Sequence, residues 1–176
     1  MSRTPDEVTQ QVLKEAVCAL QQCVEKIRHC LAQLSAEQVW WRPEPSMNSI
    51  GNLVLHLTGN LRQWVVAGLG GEPDIRDRPA EFSQRVAISG DALLESLVRV
   101  VDDSARILSK LSAAEMSRTR RIQGFDVTGW AALFDTVPHF KGHTQEITSL
   151  TRMQLGSAYQ FHWQPETIEQ GAPRTQ

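Results

Sequence analysis

Between residues 6 and 34 apolar side chains recur every three or four positions: Val8, Val12, Leu13, Ala16, Val17, Leu20, Val24, Ile27, Leu31 and Leu34, with polar residues between them and Pro5 near the start. That period lays one continuous apolar stripe along a long helix, and such a stripe cannot stay in water. The rest of the chain has to supply partners for it. A second helix is expected to about Gly70, carrying Ile50, Leu53, Val54, Leu57, Leu61, Trp64 and Val65. Pro43 and Pro45 block helix before it, Ser46, Asn48 or Ser49 can cap it, and Gly70-Gly71 ends it. A third, capped by Asp91, runs through Leu94, Leu97, Val98, Val101, Ile107 and Leu108. A fourth begins near Thr128-Gly129 and reaches Leu155-Gly156. Strand signals are almost absent, so the pattern predicts an all-α fold, a four-helix bundle.

Residues 71–89 mix charges and prolines and read as a long connection, which in a bundle serves as a crossover and in many proteins carries function. Ser112 to Gly129 is mostly polar, and Arg118, Arg120 and Arg121 read as a solvated loop. One domain over residues 1–156 is expected, followed by an arm, 157–176, that packs at its start and frays at its end.

Composition removes several classes. A net charge of −2 with no basic block gives no footprint for nucleic acid or for an anionic membrane. No apolar run approaches the roughly 18 to 20 residues of a membrane span. MSRTPDEVTQ has no apolar stretch of the secretory kind, so a cytoplasmic protein is expected. The three cysteines, Cys18, Cys23 and Cys30, fall in one helix. Cys23 and Cys30 sit about 10 Å apart along its axis, too far for a disulfide, and they read as packing residues in a reducing compartment.

The chemistry gathers at histidine. In HFKGH, His139 and His143 stand four residues apart, about 40° from each other on one helical face, and they border the apolar stripe that contains Ile147 and Leu150. His56 holds the same inward-edge position on the second helix, beside Leu57. Neutral imidazoles are costly to bury without partners, and one shared metal ion would satisfy all three; core packing is the alternative for each taken singly. Pro138, just before His139, implies either a kink or a second helix start capped by Thr136. Glu146, three residues after His143, can orient an imidazole, act as a catalytic base on a water, or reach solvent. Asn52 and Asn60 lie one turn either side of His56. His29 and His162 read as structural or surface residues, and Trp41 and Trp64 as core or as walls of a substrate pocket.

The stretches WWRPEPSMNSIGNLVLHLTGN and HFKGHTQEI, in that order on the second and fourth helices, resemble the DinB-like (DinB/YfiT) helical-bundle family over roughly residues 8–155. The resemblance implies a bundle whose His56, His139 and His143 bind one divalent ion, often zinc or nickel, and it implies a dimer. It further implies, for some members, transfer or isomerisation chemistry with a low-molecular-weight thiol and a small-molecule substrate. Three imidazoles leave an ion an open position, which suits an activated thiol. A metal-dependent hydrolase and a non-catalytic metal-binding bundle associated with stress are the alternatives.

Overall fold

The computed structural model of the chain describes residues 3–162. Four long helices build it: α1 (Pro5–Leu31), α3 (Ile50–Leu61), α5 (Gly90–Leu108) and α7 (Gly129–Leu155). Short helices α2 (Ala36–Trp40), α4 (Arg78–Ser83) and α6 (Ala113–Ser117) occupy the connections, and a hairpin of β1 (Thr119–Ile122) and β2 (Phe125–Thr128) precedes α7. The all-α bundle expected from the four stripes is the fold that forms. Among the described residues no helix is long and apolar enough to cross a membrane.

Each helix starts where its sequence supplies a cap. Thr4 and Ser49 form reciprocal capping boxes with Glu7 and Asn52, and Thr128 caps α7. The third long helix begins two residues earlier than expected: Ser89 is its cap, and Asp91 falls in the first turn. There its charge favours the positive end of the helix dipole.

Around the bundle, α1 and α3 each pack on both α5 and α7 and face each other across a diagonal. Side-chain contacts fix the directions. Gln10 near the start of α1 donates to the Leu111 carbonyl just past α5, so α1 and α5 are antiparallel. Gln154 near the end of α7 reaches the Gln38 carbonyl shortly after α1, so α1 and α7 run parallel. Trp64, beyond α3, meets Gln123 just before α7, which makes α3 and α7 antiparallel. It follows that α3 and α5 are parallel neighbours. The chain leaving α3 must therefore travel back along the bundle before α5 can start, and residues 71–89 are that crossover.

The core runs between these helices through Leu13, Leu20, Ile27, Leu53, Leu57, Leu97, Phe140 and Ile147, all buried. Past Leu61 the helix widens into a π turn, Arg62–Ala67, with Gly68 donating five residues back to Gln63. Pro138 neither ends nor restarts a helix: α7 is continuous, and Thr136 is buried inside it rather than capping anything. The polar stretch before α7 holds α6 and the hairpin where a loop was expected. Gln123 and Gly124 both have positive φ, 51° and 86°, the backbone of a tight hairpin turn. Glutamine in place of the usual asparagine hides that turn in the sequence. Arg121 pairs across the hairpin with Asp126 at the surface. At the other end Gln160 and the edge-packed ring of Tyr159 sit against His29, so the tail packs at its start; its remainder, with Trp163, lies outside the described residues.

Asn52 ties the crossover to the bundle. Its buried amide accepts from Ser49 and Arg42 and donates to the Glu81 and Gln84 carbonyls. Asn52→Ala strands these groups and is expected to cost at least about 2 kcal/mol in urea unfolding. Limited proteolysis should then nick the variant within residues 71–89 sooner than the wild type.

Candidate metal centre

His56 sits midway along α3 with its flanks, Leu53 and Leu57, fully buried, so the ring can only point between α3 and α7. Its Nδ1 lies 3.0 Å from Glu81 Oε2 and its Nε2 lies 3.0 Å from His139 Nε2. Glu81 comes from α4 on the crossover and is itself buried. Arg76 clasps it with two bonds, Nε to Oε1 at 2.7 Å and Nη2 to Oε2 at 2.8 Å. Burial alone would raise the Glu81 carboxyl pKa. Hydrogen bonds from Arg76 and His56, with the Arg76 charge, outweigh that and hold it below the usual carboxylate range. The ionised carboxylate accepts a hydrogen bond from His56 Nδ1–H, which leaves the lone pair on Nε2.

Gly59 leaves the room in which the Glu81 carboxylate sits. A Cβ at that position would stand 1.9 Å from Glu81 Oε1.

His139 and His143 project from successive turns of α7. His143 Nδ1 lies 2.8 Å from Glu146 Oε2, so its proton is also drawn to Nδ1 and its Nε2 is free. The ring planes meet at 77° to 86°, with centroids 4.6 to 5.1 Å apart. One ring nitrogen from each histidine lies within 4.8 Å of the other two. Burial pushes the His139 pKa down from 6.5 to about 4; the neighbouring His143 and His56 add to the shift, and Asp135 opposes it. His139 is therefore neutral at pH 7. Two Nε2 atoms 3.0 Å apart can share one proton between them, or they can both offer lone pairs to a cation.

These residues fit a divalent ion. They provide three neutral donors, two with carboxylates on the far ring nitrogen, on faces set at near right angles to one another. That is the donor set of a site with an open position. Beside it lies a cavity of about 180 Å³ reaching from His56 and His139 to Trp64 and Gln123. Trp64 is thus one wall of it, while Trp41 is half-exposed and does not line it.

The sequence brought His56, His139 and His143 to one spot, and the structure joins them. Glu81 and Arg76 went unread. Their signal was the long crossover together with the Asp77-Arg78-Pro79 helix start, where Asp77 caps α4 four residues before Glu81. Asn52 holds the α4 backbone and does not face the histidines. His29 and His162 pair with each other, centroids 5.0 Å apart, apart from the cluster.

Among curated proteins none matches the sequence. Solved structures do. A conserved protein from Enterococcus faecalis superposes with a TM-score of 0.71 at 18% identity, over 82% of this chain and 98% of that one. The DinB-like protein YjoA from Bacillus subtilis gives 0.63 at 16% identity, over 86% and 99%. A DinB-like protein from Bacillus cereus gives 0.60 at 16%, over 77% and 90%. The family described as protein of unknown function DUF1572 matches residues 7–169. The chain therefore belongs to DUF1572 and has the DinB-like bundle fold.

Proposed function

We propose that His56, His139 and His143 hold one divalent metal ion, zinc or nickel, and that the protein uses it to transfer a low-molecular-weight thiol to an electrophilic small molecule. The observation that carries the reading is the convergence of three imidazoles, two of them backed by a carboxylate on Nδ1. An ion held by three neutral donors would keep its full charge and would supply the Lewis acidity that lowers the pKa of a bound thiol.

The chain's own residues prepare that site. Arg76 keeps Glu81 ionised, and Glu81 fixes the tautomer and direction of His56. Glu146 does the same for His143 and is in this reading a positioning residue. Burial keeps a proton off His139. Trp64 screens one side of the cavity from water.

Three outcomes test this. Elemental mass spectrometry should find about one divalent ion per wild-type chain and none in His56→Ala or His143→Ala; full occupancy of His143→Ala, still folded, sinks the site. Glu81→Gln should weaken metal affinity roughly 10- to 100-fold by competitive chelation. With a generic electrophile such as 1-chloro-2,4-dinitrobenzene, turnover should require both metal and an added low-molecular-weight thiol. Turnover of ester substrates with water alone would instead support a hydrolase in which Glu146 is the base. Loss of thermal stability on metal removal, with no turnover across a broad panel, would support a non-catalytic bundle.

The metal-free protein should also respond to acid. The His139 pKa of about 4 lies below its unfolded value of 6.5, so the unfolded chain takes the proton first. Stability therefore falls as pH drops through that window and is unaffected above it. His139→Gln should flatten this slope in melting curves recorded between those pH values.

A further inference from the structure

Two buried polar atoms beside the histidines have no partner: Asn60 Oδ1 and Thr136 Oγ1. Asn60 is 9% exposed and Thr136 2%, and both line the cavity that His56 and His139 close at one end. Their placement follows from the helices. Asn60 stands one turn after His56 on α3, and Thr136 about one turn before His139 on α7. The two helices are antiparallel, so both steps lead to the same side of the cluster.

The lack of a partner is specific to Thr136. Thr144, Thr148 and Thr151 on the same helix each donate to the carbonyl four residues back at 2.8 to 2.9 Å, and Thr136 does not. The Thr136 hydroxyl instead lies on the cavity wall with no partner. The far rim of the cavity is also fixed. Gln123, at the hairpin turn with φ 51°, accepts from Trp64 Nε1 at 3.1 Å and lines the cavity.

We propose that Asn60 and Thr136 form a subsite that reads a hydroxyl group, and that the thiol taken by this protein carries a hydroxyl close to its sulfur. A hydroxyl both donates and accepts. It can give its proton to the Asn60 amide oxygen and receive one from the Thr136 hydroxyl, so a single group satisfies both orphaned atoms. Asn60 and Thr136 stand about one helical turn from His56 and His139 on the wall of one cavity, which puts the hydroxyl they read near the sulfur. An apolar group in the same place would leave both atoms unpaired, and a site built this way rejects it.

This inference rests on the thiol reading above, and the test separates the two. Cobalt-loaded protein is titrated with 2-mercaptoethanol and with 1-propanethiol, which differ by a hydroxyl in place of a methyl, following the near-ultraviolet sulfur-to-cobalt absorption. The expected result is at least about fivefold tighter binding of 2-mercaptoethanol, against the greater apolarity of 1-propanethiol. In Thr136→Val and Asn60→Leu that preference should vanish while the absorption band survives. Equal or reversed preference in the wild type overturns the subsite and leaves the thiol reading standing. Failure to bind cobalt, or cobalt bound with no band from either thiol, overturns the thiol reading and this inference with it. A second measurement needs no thiol. The melting temperature of ligand-free Thr136→Val should equal or exceed the wild type, because no bond is lost. A fall of several degrees would mean that an ordered water or the fold already satisfies the hydroxyl, and would overturn the proposal.

Discussion

The buried ion pair of Arg76 and Glu81 is the constraint on which the rest of the site depends. Two opposite charges taken out of water are stable only if each keeps a full set of partners. Arg76 spends three of its donors on Glu81 and Gln63, and Glu81 spends its acceptors on Arg76 and His56. Removing either partner leaves a charge stranded against α3. The pair therefore clamps the crossover to the bundle, and in doing so it sets the proton of His56. The topology makes the clamp available. Because α3 and α5 are parallel neighbours, the chain has to pass alongside α3, and it passes at the level of His56.

Much of this was legible in the residues. The four apolar stripes are long enough that nothing but a helical bundle covers them, and the inward edge of each stripe located His56, His139 and His143. What escaped was every feature made by chain segments meeting at a distance. Glu81 looks like any surface glutamate in a charged connection, and only the direction of α3 relative to α5 brings it indoors. The hairpin escaped because its turn is Gln123-Gly124, whose first residue takes a left-handed backbone that glutamine seldom adopts. Pro138 was open between two readings, and continuous packing of α7 against α1 and α3 decided for an unbroken helix. The DinB-like resemblance, carried by the motifs around His56 and His143, agreed with the fold that forms.

The site also shows how cheaply a bundle can hold a reactive centre. Its three imidazoles come from two helices whose other buried residues are mostly apolar. The charges that set the ring tautomers arrive from outside that core, on α4 and on the exposed flank of α7. Two orphaned polar atoms, Asn60 Oδ1 and Thr136 Oγ1, lie on the cavity wall, beside the apolar layers rather than within them.

The π turn at Arg62–Ala67 has a consequence for recognising relatives. One such turn accommodates an extra residue while the helix goes on, and it rotates everything downstream by roughly 100° against the α-helical register. An ungapped alignment that is correct at His56 therefore sets inward residues against outward ones beyond Leu61 for any homologue lacking the turn. Profiles for this fold would gain by scoring the two halves of the segment separately.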